Sequence, residues 1–269
     1  MERQRSRTTN IIVSAISALS LSAASLVIST TTAVAAADNY VGAVVAGSGT
    51  VLGSTSYPTP AGAIYASPQG ADTNPGTLDK PVRSVAKALA LTPAGGTVVL
   101  RAGSYHESVT VSKQVTIQNY PHEVVWFDGS SEVPTWTRSG SVWTAPWSTF
   151  FAPSNISGGT RSDYPNANLP AQVFIDGKAL AEVASAAQVG AGTFFADSAN
   201  HRLVIGSDPS GTVVRASDLD RAIAVGVQNV VFRGFGVQRY ATNSTSRAAV
   251  LMDPDGGTFE NLVVSDNST

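Results

Sequence analysis

The sequence predicts an all-β protein: a right-handed parallel β-helix, with an N-terminal cap helix and first coils, interrupted by a small antiparallel β domain. Very short apolar runs separated by tight turns predict many short strands. The runs at 98–100 and 124–127 lie about one coil apart with two further strands between them, so three strands recur per coil. The pattern resumes from Ala222, and strand crossovers in parallel sheets are nearly always right-handed.

Residues 1–37 have the pattern of a secretory signal peptide. Arg3, Arg5 and Arg7 precede an uncharged apolar stretch at 11–28, which ends near the small-residue motif Ala33-Val34-Ala35. The alternative is a transmembrane anchor, but several serines dilute the stretch, and the alanine-rich exit favours cleavage. We therefore expect a secreted, extracellular protein with no membrane span after cleavage.

Composition excludes a nucleic-acid partner and a disulfide framework. The chain has 17 basic and 19 acidic residues; without the three arginines and one glutamate of the signal, 14 and 18 remain, a net charge of −4. Such a chain has no basic stripe for a phosphate backbone. Cysteine is absent, so core burial and backbone pairing must hold the exported fold together.

The rest of the chain divides into four predicted regions. Residues 38–62, rich in Gly, Ser, Ala and Thr, predict a flexible linker. Residues 63–131 predict the cap and first coils, with an amphipathic helix from Val82 to Leu91. Residues 132–216 predict the inserted antiparallel domain, where Asp176-Gly177 is a hairpin signal. Residues 217–269 predict further coils; without a polar cap, they indicate a truncated β-helix or an open end covered by a partner.

Two stretches resemble known proteins. The segment from Tyr65 to Thr77, through Lys80-Pro81 and the helix to Gly96–Glu107, resembles the cap and first coil of secreted bacterial right-handed β-helix proteins of the pectate-lyase-like superfamily. The inserted region, with Phe174-Ile175-Asp176-Gly177 and Arg202-Leu203-Val204-Ile205, resembles that of some β-helix glycoside hydrolases. The resemblance implies a polysaccharide or glycan partner. It does not choose an activity, because the superfamily contains lyases, hydrolases, epimerases and non-catalytic proteins.

Asp253, Asp255 and Asp266 form the acidic group that we take as the catalytic candidate. Cleavage of polysaccharide needs two carboxylates across the glycosidic bond, or a base with a metal that acidifies a uronate proton. If the three aspartates lie on successive coils, stacking could bring them together as a catalytic pair or as calcium ligands. The alternative is that Asp253-Pro254-Asp255-Gly256-Gly257 is only a turn. No position matches the calcium and base motifs typical of superfamily lyases.

Two other polar pairs have competing interpretations. His106-Glu107 could act as an acid–base pair, although polar residues after a turn usually face solvent. Asp72 and Asn74 could bind calcium, or they could order the cap loop through hydrogen bonds.

The sequence thus predicts an exported carbohydrate-active protein acting on polysaccharide, with glycoside hydrolysis slightly favoured over lyase chemistry. One alternative is a non-catalytic extracellular β-helix module for binding or adhesion. Another is the inactive N-terminal portion of a longer enzyme.

Overall fold

A computed structural model describes residues 51–155 and 166–268, which belong to one compact unit, Val44–Thr269. The predicted signal peptide, 1–37, and the first part of the predicted linker lie outside the described residues. Within the described ranges, no helix is long and apolar enough to cross a membrane.

Short strands around one helix make up the first part of the fold. In chain order they are β1 (Ile64–Ala66), α1 (Val85–Leu91), β2 (Thr97–Leu100), β3 (Gly103–Tyr105), β4 (Val109–Val111), β5 (Thr116–Asn119) and β6 (Val125–Asp128).

A second set of strands follows immediately, and we call residues 130–217 the insertion. Its strands are β7 (Ser130–Glu132), β8 (Thr137–Ser139), β9 (Val142–Pro146), β10 (Val173–Ile175), β11 (Lys178–Ala179), β12 (Ala181–Glu182), β13 (Thr193–Asp197), β14 (Arg202–Ile205) and β15 (Val214–Ser217). Short 3-10 turns lie at Ala186–Gln188 and Ser198–Asn200.

The last part of the chain returns to the short-strand pattern. Its strands are β16 (Ile223–Val225), β17 (Val231–Arg233), β18 (Gly236–Gln238), β19 (Val250–Met252), β20 (Thr258–Glu260) and β21 (Val263–Ser265).

The strands outside the insertion form three sheets in which every pair is parallel. The first sheet has the order β1-β2-β5-β17-β20, the second β3-β6-β18-β21 and the third β4-β16-β19. From β2 onward the chain visits the first, second and third sheets in rotation. It leaves the second sheet at β6 and, after the insertion, re-enters the rotation at the third sheet with β16. The predicted mostly-β fold with parallel sheets is confirmed.

Apolar side chains in register form the core between these sheets. In the first sheet Val98 pairs with Ile117 and Ile117 pairs with Phe232, and all three side chains are fully buried. The next partner along this row is Phe259, whose ring lies 5.7 Å from that of Phe232 and which is 50% exposed. Because apolar side chains on successive strands stack in this way, a run of only three or four residues is enough for each strand to contribute to the core.

The insertion has its own two sheets and its own core. The fourth sheet, β11-β10-β15-β7, is antiparallel, and the fifth, β12-β13-β14-β9-β8, is antiparallel except for the β12–β13 pair. Asp176 and Gly177 have φ values of 47° and 76° and join β10 to β11, so the predicted hairpin is confirmed. Trp136, Trp143 and Trp147 pack, partly buried, against the core of the insertion.

Helix α1 begins at Val85, three residues later than the sequence pattern predicts. Ser84 is the N-cap, and its hydroxyl accepts the backbone N–H of Lys87 at 3.1 Å. Val82 instead forms a parallel bridge with Ala66 of β1. The apolar residue at 82 therefore belongs to the edge of the first sheet, although its spacing also fits a helix.

The described part of the predicted linker, residues 51–62, packs against the parallel sheets. The Thr55 carbonyl accepts the backbone N–H of His122 at 2.9 Å, and the Pro58 carbonyl accepts from the Gln118 side chain at 3.1 Å. The guanidinium of Arg233 lies 4.4 Å from the centre of the Tyr57 ring. This part of the segment is thus held to the fold at several points, by a backbone bond, a side-chain bond and a cation–π contact.

Candidate functional site

The three predicted catalytic aspartates follow strands of different sheets. Asp253 and Asp255 are exposed in the loop between β19 of the third sheet and β20 of the first. The Asp253 carboxylate pairs with Arg247 at 2.9 Å, and both side chains are 58% exposed. Asp266 follows β21 of the second sheet in the left-handed region, with φ 53°, and its backbone carbonyl accepts from Arg239.

Acidic and histidine side chains do not gather into a metal cage in the part of the chain that the structure describes. No group of three or more His, Cys, Asp or Glu residues there is arranged to hold an ion. The candidate calcium ligands Asp72 and Asn74 have protein partners instead. Asp72 accepts the backbone N–H groups of Arg83 and Ser84 at 2.9 and 2.8 Å, and Asn74 donates to the Pro81 carbonyl at 2.8 Å.

A buried polar cluster joins the second sheet to the insertion, and we call it the Asp128 cluster. The Asp128 carboxylate is 4% exposed and accepts from the Ser130 hydroxyl at 2.6 Å, from Gln238 at 3.0 Å and from Arg239 at 2.9 Å. Arg215 of β15 donates to the Ser130 hydroxyl at 3.0 Å and brings its Nε to 4.0 Å from Asp128. These charge-assisted bonds lie where the chain leaves β6 and where β15 pairs back onto β7.

His106 lies beside this cluster at the surface. Its Nδ1 atom is 2.8 Å from the Asp128 carbonyl, which can only accept, so Nδ1 carries the proton. Its Nε2 atom lies 3.2 Å from a carboxylate oxygen of Asp218. The hydrogen bond to Asp218 is the main cause that raises the pKa of His106, because protonation turns this contact into an ion pair.

The neighbouring Glu107 has different partners. Its carboxylate accepts the backbone N–H groups of Val85 and Ala86 at 2.8 and 3.1 Å, at the start of α1. Burial is the main cause that raises the pKa of Glu107, and the two backbone bonds oppose it. His106 and Glu107 therefore bond to different parts of the fold: His106 bonds the residues that flank the insertion, Asp128 and Asp218, and Glu107 bonds the start of the helix.

The insertion contains a carboxyl group that sequence reasoning missed. Glu182 ends β12, and its Oε2 atom is buried without a hydrogen-bond partner among the described residues. Burial raises the pKa of Glu182 to about 8, so the group keeps its proton at neutral pH. Its backbone is fixed by a bond from Val183 to the Phe194 carbonyl at 2.8 Å and by one from Asn166 to its own carbonyl at 3.0 Å.

Two cavities of about 380 Å³ each adjoin this carboxyl group. Asn166, Leu169, Ala171 and Glu182 line both of them, and we call the pair of cavities the Glu182 cleft. One cavity extends along β11 and β12, and the other extends toward half-buried aromatic side chains, which are Phe150, Phe151 and Phe195. Volumes of this size fall in the range of small-ligand sites, about 300 to 1,000 Å³.

The Glu182 cleft can donate a proton or a hydrogen bond to a bound molecule. A carboxyl group kept neutral by burial is the form that a general acid or a neutral hydrogen-bond donor requires. A sequence signal for this group does exist. Glu182 is the lone charge in the run Ala179-Leu180-Ala181-Glu182-Val183-Ala184, and a carboxylate within an apolar strand either finds a partner or becomes neutral.

Short local matches link the chain to other proteins. A family described as "Protein of unknown function (DUF1565)" matches residues 68–119. The uncharacterized protein YwoF of Bacillus subtilis is 42% identical over 74 residues, which are 25% of this chain and 16% of that protein. Pectate lyase PEL9 of Emericella nidulans is 37% identical over 79 residues, which are 26% of this chain and 19% of that protein.

One solved structure extends the likeness of fold over most of the chain. The structure described as the complex of XylC with xylose superposes with a TM-score of 0.63 at 17% identity. The match covers 76% of this chain and 40% of XylC. The chain therefore spans less than half the length of each of these three proteins, and the likeness to XylC is one of fold.

Proposed function

We propose that the protein is a secreted, carbohydrate-active, right-handed parallel β-helix protein that acts on polysaccharide. The observation that carries this proposal is the insertion: it interrupts the rotation through three parallel sheets and contains the Glu182 cleft. Similarity to a pectate lyase over 79 residues supports the substrate class, as does the likeness of fold to XylC, whose complex holds xylose. Export rests on the signal pattern in residues 1–37.

Hydrolysis of glycosidic bonds is the reaction that we favour over elimination. A hydrolase needs a carboxylic acid that keeps its proton near neutral pH, and burial gives Glu182 this property. A lyase instead needs a base and a cation beside a uronate carboxylate. A hydrolase also needs a second carboxylate, and we propose Asp253, Asp255 and Asp266 as the candidates for it. The same three aspartates are our candidate ligands for calcium.

A second candidate function is binding without cleavage. Glu182 is the one ionisable residue among the described residues that line the cleft. Because hydrolysis uses two carboxyl groups, a cleft with one favours a module that holds glycan, either for adhesion or as the N-terminal portion of a longer enzyme.

Mass spectrometry of products separates these functions. The purified chain is incubated with a panel of plant and microbial polysaccharides, with and without calcium. Products with water added to the cleaved ends would support hydrolysis, whereas unsaturated ends would identify a lyase. Bound polysaccharide without products would support the binding module. If no polysaccharide binds or reacts, the proposal fails.

Substitution of the candidate aspartates tests their role in any activity that is found. We expect Asp253→Ala or Asp266→Ala to lower kcat at least about 100-fold if these groups act in the chemistry. Unchanged kcat in both variants would remove Asp253 and Asp266 as candidates. A rise in Tm with millimolar calcium would support the metal site, since a ligand that binds only the folded state stabilises it.

A further inference from the structure

We propose that the Glu182 cleft binds an uncharged sugar unit of the polysaccharide, not a uronate. This inference rests on the proposed function and specifies its substrate class. The lining combines aromatic and aliphatic side chains, side-chain amides and one carboxyl group, and this composition suits a ring with an apolar face and neutral hydroxyl groups.

The aromatic side of the cleft supplies the surface for a sugar ring. Phe150, Phe151 and Phe195 line the same cavity, and all three are half-buried. A pyranose presents C–H groups on its flat faces, which pack against aromatic rings with little loss of hydration. The Phe150 ring also makes an edge contact with the His201 ring, with ring centres 6.3 Å apart.

Glu182 supplies the polar contact at the centre of the cleft. The residue is partly exposed and lines both cavities, so a ligand hydroxyl in the cleft can bond its neutral carboxyl group. A hydroxyl group can both donate and accept, so it can bond a neutral carboxyl group in either sense. The Asn166 and Asn168 side chains line the same cavity and can bond further hydroxyl groups.

A uronate carboxylate fits this lining poorly. Proteins bind carboxylates with guanidinium or ammonium groups or with clusters of backbone N–H groups. Here the ionisable group in the described lining is itself acidic and is buried enough to resist ionisation. A second carboxylate would lose its hydration beside Glu182 and would meet no cation among these residues.

Calorimetric titration of the purified chain with defined oligosaccharides tests the proposal. The probes are cellohexaose, xylohexaose and mannohexaose as neutral chains and hexagalacturonate as the acidic chain, all at pH 6. We expect at least one neutral chain to bind about tenfold more tightly than hexagalacturonate. Equal or tighter binding of hexagalacturonate would overturn the proposal, as would no binding of any neutral chain.

Variants at the cleft connect binding to these residues. Glu182→Gln keeps a neutral donor of the same shape, so binding should stay within about threefold; Glu182→Ala and Phe150→Ala should each weaken it about tenfold. Glu132→Gln and Glu132→Ala are the matched controls, because Glu132 is 64% exposed in the fourth sheet and does not line the cleft. Circular dichroism and Tm verify folding. Unchanged binding in both Glu182→Ala and Phe150→Ala would place the site elsewhere.

The two proposals fail in different ways. If polysaccharide products form but the cleft variants change neither binding nor rate, the Glu182 cleft is not the sugar site and the proposed function stands. If neither products nor oligosaccharide binding is found, both proposals fail together.

Discussion

At the scale of single residues, Glu182 has the most unusual environment that we describe. Burial raises its pKa to about 8 from an ordinary value near 4.5. At a pH below the ordinary pKa, the carboxyl group is neutral in both the folded and the unfolded chain. At a pH between the two pKa values, the Glu182 carboxyl group is ionised in the unfolded chain but stays protonated in the folded chain. The group therefore lowers the stability of the fold progressively as pH rises.

Glu182→Gln should therefore stabilise the protein increasingly as pH rises from 5 to 8. The glutamine is neutral at every pH, so the Tm difference from the wild type should be small at pH 5 and largest at pH 8 to 9. Thermal unfolding followed by circular dichroism over this range measures the difference. The exposed Glu132→Gln serves as control, and a Glu182→Gln difference that is flat with pH would mean that the group is ionised in the folded state.

Residue environments divide into those set by local sequence and those set by distant contacts. Asp176-Gly177 could be predicted because a two-residue hairpin needs positive φ at both positions, and both have it. Asp128 and Arg239 could not be paired from sequence, since 111 positions separate them. The same holds for the pKa of Glu182, which depends on how the insertion folds around it. Local signals thus predicted turns but missed the buried charges.

At the scale of elements, helix α1 shows how a short helix is fixed by groups outside it. It has seven residues, too few to be stable alone. Asp72 accepts the backbone N–H groups of Arg83 and Ser84 and the hydroxyl of Ser84, while Glu107 accepts from the next two N–H groups along the chain. Because these bonds favour the charged carboxylate, the pKa of Asp72 is lowered, chiefly by the backbone bond from Ser84.

Asp72→Ala should destabilise the protein by about 1 kcal/mol at pH 7, the typical effect of losing a helix-capping side chain. The loss should diminish as pH falls, since a lowered pKa gives stability that is present above the unfolded value and is lost as the carboxylate becomes protonated. Urea unfolding at pH 7 and pH 3 measures both effects. Asp79→Ala, an exposed aspartate of the same loop, should change stability by less than about 0.5 kcal/mol, and an equal loss in both variants would contradict the capping role.

The parallel strands could be predicted more reliably than the start of this helix. Val98, Ile117 and Phe232 lie in apolar runs whose spacing repeats, and repeated spacing is preserved when strands stack in register. Val82 fits both a helical and a strand pattern, and its bridge to Ala66 decides between them. That bridge depends on β1 and therefore on tertiary structure, which overrides a short local pattern.

At the scale of the whole molecule, the Asp128 cluster connects the parallel sheets to the insertion. Asp128 ends β6, Gln238 ends β18 and Ser130 begins β7, while Arg215 lies on β15. One carboxylate thus bonds two neighbouring strands of the second sheet and the first strand of the insertion. The hydrogen bonds are charge-assisted and buried, so removal of the carboxylate should affect both parts of the fold.

Asp128→Ala should destabilise the protein by about 3 to 5 kcal/mol, because it removes the carboxylate that the buried Arg239 guanidinium bonds. Urea unfolding measures the loss with two probes. Trp126 is buried in β6, so both proteins carry Trp126→Phe; tryptophan fluorescence then reports on the insertion, which holds Trp136, Trp143 and Trp147, and far-ultraviolet circular dichroism reports on all the sheets. Both transitions should shift to lower urea.

A matched control tests whether removal of any aspartate would destabilise the protein as much as removal of Asp128. Asp255→Ala, at an exposed loop position, should shift neither transition measurably. If Asp128→Ala shifts only the fluorescence transition, the cluster stabilises the insertion alone. If it shifts neither, the bonds among Asp128, Gln238 and Arg239 add no net stability. A joint shift would mean that the insertion and the parallel sheets unfold as one cooperative unit, to both of which this carboxylate is bonded.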